Sequence, residues 1–303
     1  MATYNGERYL SQQIDSLLNQ TYNDFTIYIS DDHSTDGTFD ILKSYSEKYP
    51  DKIKVSQNET NSGNAKYNFM NMMIDHKDDY IMLCDQDDIW KEDKVEKSLA
   101  KIRSMEDEYG NCSPILIHTD LIVVDKDLNV INPSFRGMTF KKDYSSLSDI
   151  IAQNIVTGCT VMYNKALADM INDVPKFFIM HDWWLAILVS AMGKIGYISN
   201  GTIFYRQHGF NVLGAKENVL DLKYKIRVIT NRKQHRQIFM EYCKQAKSFL
   251  DMYGHMLDEY SKNILKAYAD LRHLSKIRRL KLMRKNNLLP NGIYHTIRYL
   301  ILG

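Results

Sequence analysis

The feature that most constrains this chain is an alternation of two hydrophobic periodicities along its first third. Leu10, Ile14, Leu17 and Leu18 recur at helical spacing. A β-branched and aromatic run at 25–29 reads as a strand ending in Ser30-Asp31-Asp32, and Thr35-Asp36-Gly37 turns the chain into a predicted helix over 38–49. A weak strand at 53–55, a helical face at Ala65, Phe69, Met72 and Met73, and a buried strand at 80–84 follow. Val95, Leu99 and Ile102 mark the next helix. Strand and helix in strict alternation predict an α/β domain on a mostly parallel central sheet flanked by helices.

The pattern then loosens. Runs at 115–124 and 156–162 read as strands, 181–192 as a buried helix closed by Gly193, and 202–205 as a last short strand. From about Ala215 only helical patterns remain, so the expected division is an α/β domain over 1–214 and a helical, basic region over 215–303. Hydrophobic residues at 44% and charged residues at 25% exclude general disorder and collagen-like repeats. The longest apolar runs, such as 183–189, are too short to cross a bilayer. Lys+Arg 39 against Asp+Glu 37 leaves a net charge of +2, which gives no global field for a nucleic-acid partner. Cys84, Cys112, Cys159 and Cys243 form no Cys-x-x-Cys pair, which leaves zinc and redox motifs without support. Met1-Ala2-Thr3-Tyr4-Asn5-Gly6 opens with no signal-peptide pattern, and reduced thiols in the cytoplasm are the expectation.

Charge is nonetheless segregated. Between Leu271 and Gly303 there are eight Lys/Arg residues and no Asp or Glu. Ile264, Tyr268, Leu271, Leu274 and Ile277 recur at three- and four-residue steps, and Ile293, Tyr294, Ile297, Leu300 and Ile301 add an apolar end. Two readings fit: a peripheral contact with anionic lipid, or a solvated basic helix packed on the main domain.

Open parallel sheets bind ligands beyond the carboxyl ends of their strands. Asp31-Asp32 and Asp85-Gln86-Asp87-Asp88 both fall at such ends. Carboxylates crowded on one rim repel unless a cation joins them, and a hard divalent ion such as Mg2+ or Mn2+ carrying a diphosphate is the natural guest. The competing reading is acids that cap the following helices.

Ala2-Thr3-Tyr4-Asn5-Gly6, Asp31-Asp32 with Ser34-Thr35-Asp36-Gly37-Thr38, Asn61-x-Gly63, Cys84-Asp85-Gln86-Asp87-Asp88-Ile89-Trp90 and His181-Asp182-Trp183-Trp184 occur in that order. Over roughly residues 1–215 this resembles the inverting family 2 glycosyltransferases with the GT-A nucleotide-sugar fold. Thr119-Asp120, Val156-Thr157-Gly158-Cys159-Thr160 and Tyr205-Arg206-Gln207-His208-Gly209 further resemble bacterial rhamnosyltransferases of cell-wall and capsular polysaccharides. The resemblance implies a sugar moved, with inversion, from a nucleotide-sugar donor to a hydroxyl of a lipid-linked saccharide at the inner membrane leaflet. Rhamnose from dTDP-rhamnose is the implied donor, with a UDP-hexose as the alternative. It also implies an apolar strand ahead of Ala2, of which Met1 alone is present, so the first strand reads as truncated.

Carried over by residue, the resemblance implies Asp32, Thr3 and Tyr4 at the base and ribose, with Asn61 and Gly63 shaping the loop beside them. Asp85 and Asp87 match the DXD pair: Asp87 is implied in direct metal contact, and Asp85 at the metal or the ribose. Asp88 either assists or caps the next helix. Asp182 matches the catalytic base; the competing reading is an N-cap. Arg206 and His208 are implied at the diphosphate or metal, against a loop held by ordinary salt bridges. Trp183 and Trp184 either stack on a sugar or belong to the core, and Gly158 either admits an acceptor or makes a β-bulge. A non-catalytic nucleotide-sugar-binding protein and a metal phosphohydrolase are the rival classes.

Overall fold

The computed structural model describes residues 1–139, 146–208, 232–286 and 288. In chain order the elements begin β1 (Ala2–Thr3), α1 (Leu10–Leu18), β2 (Ile27–Asp31), α2 (Thr38–Lys48), β3 (Ile53–Gln57) and α3 (Ala65–Asp75). Next come β4 (Tyr80–Met82), β5 (Ile89–Trp90), α4 (Lys94–Tyr109), β6 (Ile115–Val124), β7 (Val130–Asn132), α5 (Phe135–Thr139) and α6 (Leu147–Ala152). The rest are β8 (Val161–Asn164), α7 (Lys165–Ala168), α8 (His181–Met192), β9 (Lys194–Arg206), α9 (Arg232–Tyr253), α10 (Glu259–Asp270) and α11 (Lys276–Lys285).

The chain divides into two compact units. Their described parts are 1–139, 156–174 and 193–208 in the first, and 146–155, 175–192 and the residues from 232 onward in the second. The helical region expected from 215 therefore shares its unit with α6 and α8.

The first unit carries both sheets. In β1-β2-β3 every pair is parallel, with Ile27 opposite Ile53 and Asp31 opposite Gln57. A mixed sheet has the order β4-β8-β6-β9-β5, with β7 on β6. Its β6–β9 pair is parallel and the others are antiparallel. Leu10, Ile14, Leu17, Ile29, Leu42 and Ile53 form the core between the first sheet and its helices. These apolar stripes set at helical and strand periods, more than local propensity, hold the elements in place.

Five strand boundaries differ from expectation, two of them simply in length: β3 runs on to Gln57, and β4 stops at Met82. The run read at 25–29 pairs from Ile27 to Asp31, because the ladder to β3, rather than β propensity, fixes its ends. The run at 156–162 starts instead with a 3-10 turn, Gly158–Thr160, because Thr160 N and Oγ1 both return to the Thr157 carbonyl; the strand begins at Val161. The strand read at 202–205 is the end of the 13-residue β9, whose pairing with β6 shifts register between Thr119 and Asp120. That irregularity absorbs a polar stretch, Ser199-Asn200-Gly201, that breaks the apolar alternation.

Gly193 does follow α8, but its backbone is not left-handed. A Cβ there would lie 2.1 Å from the Pro114 carbonyl oxygen, so close approach to β6 is what calls for glycine. A cavity of about 770 Å³ lies between β2 and β4, lined among others by Met1, Ile27, Phe69, Met73, Met82 and Leu99.

In the second unit Trp184 packs against Phe178, Phe249 and Tyr253. Ile264, Leu265, Tyr268 and Leu271 are buried there too. The apolar steps from Ile264 to Leu271 thus serve this core, whereas Ile277 is 70% exposed. Ile293, Tyr294, Ile297, Leu300 and Ile301 lie outside the described residues. Among the described residues no helix is long and apolar enough to cross a membrane.

Candidate active site

The carboxyl ends of β1, β2 and β4 bring three loops of the first unit together. Asp31 and Asp32 stand side by side at the end of β2 with different partners. Asp31 is fully buried and accepts from Thr3 Oγ1 (3.0 Å), Ser34 N (3.0 Å), Ser34 Oγ (2.6 Å) and Gln57 Nε2 (3.0 Å). Asp32 accepts from Asn58 Nδ2 (2.8 Å), Ser62 N (2.9 Å) and Ser62 Oγ (2.7 Å). Asn61 completes that loop: its Nδ2 donates to the Asp32 carbonyl (2.9 Å), and its Oδ1 accepts Gly63 N (2.7 Å). Gly63 has φ +80°, a left-handed position that suits glycine. Asp32, Asn61 and Gly63 thus form one bonded loop, and Thr3 turns its hydroxyl inward to Asp31. Tyr4 leaves its ring exposed.

The acidic segment after β4 is held from two sides. Gln86 reaches Tyr4, accepting from its N–H (2.8 Å) and donating to its carbonyl (2.9 Å). Arg206, at the end of β9, is buried; its N–H donates to Asp88 Oδ1 (3.1 Å) and its Nε to the Asp87 carbonyl (2.9 Å). The guanidinium also donates to the Lys126 carbonyl (2.9 Å) and Gln12 Oε1 (2.7 Å), and it lies over the Tyr9 ring. Arg206 therefore braces the acid segment through the Asp87 carbonyl and the Asp88 carboxyl. Two residues on, His208 Nε2 lies 2.8 Å from Asp87 Oδ2, with its ring against Tyr9. The segments at 84–88 and 205–208, distant in sequence, meet through these contacts.

Asp88 is fully buried ahead of β5 and does not cap α4, which starts at Lys94. Burial, and then the charges of Asp87 and Asp85, push its carboxyl well above the usual carboxylate range. Ligand atoms of Asp85, Asp88 and Cys159 lie within 4.8 Å of one another. Burial also holds the Cys159 thiol well above its ordinary value, so the cysteine stays a neutral thiol beside the acids. Asp85 belongs to that cluster and Asp87 meets His208, so these two carboxyls are oxygen donors of the kind a divalent cation takes. Gly158 is buried in the 3-10 turn beside Cys159 and is not a β-bulge.

Asp182, Trp183 and Trp184 lie in the second unit. Asp182 sits in the first turn of α8, mostly buried, with Oδ1 accepting the Trp183 N–H (2.6 Å). The tryptophans correct an expectation. Trp184 has no exposed surface to offer a sugar, and Trp183 is buried with its indole N–H donating to the Ile150 carbonyl (2.6 Å) and its ring edge-on to Tyr242. Both rings are core, because α8 is buried on all sides along 181–189.

Sequence reasoning gave no role to Gln86, Ser62, Asn58 or Gln12, and it read Asp31 only as one of the rim acids. The only signal for Gln86 is its place between two acids, in what the structure shows as a bend after β4.

A parallel three-stranded sheet with an acidic rim at its carboxyl ends, joined to a mixed sheet, is the GT-A fold of nucleotide-diphospho-sugar transferases. The family model of glycosyl transferase family 2 matches residues 1–170, more than half of the chain, and the chain belongs to that family. It is 29% identical over 266 residues to dTDP-rhamnosyl transferase RfbG of Shigella flexneri, covering 83% of this chain and 85% of RfbG. It is 30% identical over 198 residues to the putative teichuronic acid biosynthesis glycosyltransferase TuaG of Bacillus subtilis, covering 64% and 72%. Among solved structures it is similar to residues 1–349 of S. aureus TarS, with TM-score 0.58 at 19% identity, covering 99% of this chain and 77% of that one. The mannosyltransferase PcManGT from Pyrobaculum calidifontis, solved with GDP-Man and Mn2+, gives TM-score 0.51 at 15% identity, covering 99% and 83%.

Proposed function

We propose that this chain is a metal-dependent inverting glycosyltransferase that moves rhamnose from dTDP-rhamnose to a hydroxyl of a growing cell-surface polysaccharide. The observation that carries the reading is the 2.8 Å approach of His208 Nε2 to Asp87 Oδ2, which sets an imidazole and the acid pair on one rim. The donor sugar rests on the likeness to RfbG.

Asp87 and Asp85, with His208 beside Asp87, would hold Mg2+ or Mn2+, which supplies positive charge for the departing diphosphate. Tyr4 offers its exposed ring to the base, and Asp32 with Asn61 and Gly63 fixes the loop beside it. Arg206 keeps the Asp87 backbone in place beside the site it is implied to share with the diphosphate. Asp182, mostly buried in the first turn of α8, would take the proton from the attacking acceptor hydroxyl. Gly158 is assigned to the acceptor side by the resemblance alone.

The exposed Lys276, Arg278, Lys281, Arg284 and Lys285 of α11 suit an anionic membrane surface, where a lipid-linked acceptor resides. On this reading the enzyme works at the cytoplasmic face as a peripheral protein.

The test is a donor screen with Mn2+, reading release of free dTDP or UDP with and without acceptor. Wild type releases dTDP from dTDP-rhamnose, and Asp87→Ala loses release and donor binding together. Asp182→Asn retains donor binding and loses transfer by about a thousandfold or more. Release of UDP from a UDP-hexose instead would overturn the rhamnose assignment. Release of phosphate from simple esters, or normal turnover by Asp182→Asn, would overturn the mechanism.

A further inference from the structure

Gln86 lies between Asp85 and Asp87 in a bend after β4. Its amide makes both bonds that a neighbouring strand would make to Tyr4: Oε1 accepts the Tyr4 N–H at 2.8 Å, and Nε2 donates to the Tyr4 carbonyl at 2.9 Å. The 2–6 loop is shaped to receive it. A Cβ on Gly6 would lie 2.3 Å from Gln86 Oε1, so glycine there leaves the room the amide occupies. Asn5, at φ +47°, is held by Ser34 Oγ through its N–H (2.9 Å) and returns its Oδ1 to Thr35 N (2.8 Å). Gly6 N donates to Thr38 Oγ1 (2.8 Å). The nucleoside-side loop is therefore tied to β2 and α2 on one flank and to the acid segment by this amide on the other.

We infer that Gln86 is a positioning residue for the donor: its amide sets the spacing between the Tyr4 loop and the Asp85/Asp87 pair, so that base and diphosphate are gripped at once. The inference rests on the proposed nucleotide-sugar site. A side chain with one acceptor and one donor end is what the task needs. Glutamate would keep the bond to Tyr4 N, face the Tyr4 carbonyl with a second oxygen, and add a charge between two carboxylates. The two bonds together correspond to roughly a tenfold change in donor affinity.

The experiment compares wild type, Gln86→Met, Gln86→Glu, Gly6→Ala and Asp87→Ala. Its readouts are calorimetric binding of dTDP and UDP with Mn2+, donor KM and kcat, and Tm. Gly6→Ala leaves Gln86 intact and displaces its amide, so it tests the clamp without touching the glutamine. Gln86→Met and Gly6→Ala are expected to raise nucleotide Kd and donor KM about tenfold, with kcat within about twofold of wild type. Gln86→Glu is expected to be weaker still. Wild-type affinity in Gln86→Met, with Asp87→Ala inactive, overturns the positioning role and leaves the proposed function standing. Equal loss of kcat and KM with a Tm lower by about 5 °C or more makes the amide a structural brace and also overturns the inference. Failure of wild type to bind either nucleotide with Mn2+ overturns the proposed function and this inference with it.

Discussion

Asp31 and Asp32 are the same residue type one position apart, and the backbone gives them separate tasks. Asp31 gathers four donors from β1, β3 and the Ser34 turn, while Asp32 organises the 58–62 loop. The sequence shows two acids after a strand and supports a rim site. It does not show which acid faces the sheet, because strand register turns on pairing partners distant in the chain. The same distance hides the partners of Arg206, whose guanidinium meets the carbonyls of Asp87 and Lys126. His118 also belongs to this scale. It is buried on β6 between Arg136 and the Tyr197 ring, and burial first, then Arg136, lowers its pKa from the ordinary 6.5 to about 3. Between those two values the unfolded chain binds a proton that the folded chain refuses. The His118 contribution to stability is therefore whole above about pH 6.5 and is lost as the pH falls through that window. Chemical denaturation of wild type and His118→Phe at about pH 7 and about pH 5 measures it. The wild-type slope should exceed that of the variant by up to about 1.4 kcal/mol per pH unit, favouring higher pH. Equal slopes would mean that His118 titrates normally.

At the scale of elements, legibility follows how locally each element is specified. The helix read at 181–192 coincides with α8 and the strand read at 115–124 with β6, since dense apolar runs bounded by turn residues leave little choice of period. The starts of α2 and α3 are equally clear, at Thr38 and Ala65. The two-residue β5 and the long β9 were not legible, since each exists through pairing with a strand remote in sequence. The junction of α8 and β9 makes the point testable. Gly193 reads as a left-handed helix cap, yet its role is to let β9 start against the Pro114 carbonyl, to which Lys194 N donates at 2.9 Å. A left-handed cap would tolerate asparagine well; a close approach tolerates no Cβ at all. Gly193→Ala and Gly193→Asn are therefore both expected to cost about 1–3 kcal/mol, seen as a Tm drop of several degrees. Recovery in the Asn variant alone would restore the cap reading.

For the whole molecule, a net charge of +2 conceals a division of labour. The first unit concentrates carboxylates on one rim, and the last described helix of the second carries exposed cations and no acid. Within α11 the charges are sorted by environment. Arg279 turns inward, donating from Nε to the Leu271 carbonyl (3.0 Å) and from Nη2 to the Leu274 carbonyl (3.2 Å) over the Phe239 ring, and Met283 joins the core. Lys276, Arg278, Lys281, Arg284 and Lys285 stay in solvent beside the exposed Ile277. The inward arginine anchors the helix, so the outward cations can be changed without removing what holds it. Vesicle flotation separates the membrane reading from a merely solvated helix. Each cation near an anionic bilayer contributes on the order of 1 kcal/mol, so reversing Lys276, Arg278 and Lys281 to Glu should weaken binding to phosphatidylglycerol-containing vesicles by roughly 100-fold or more. Binding should also fade as salt rises, because the attraction is screened over about 10 Å at 0.1 M ionic strength. Donor hydrolysis without acceptor should be untouched by the triple reversal, since α11 lies outside the unit that holds the acid rim. Equal flotation with neutral and anionic vesicles, or an unaltered triple variant, would leave α11 a solvated helix and remove the membrane from the account.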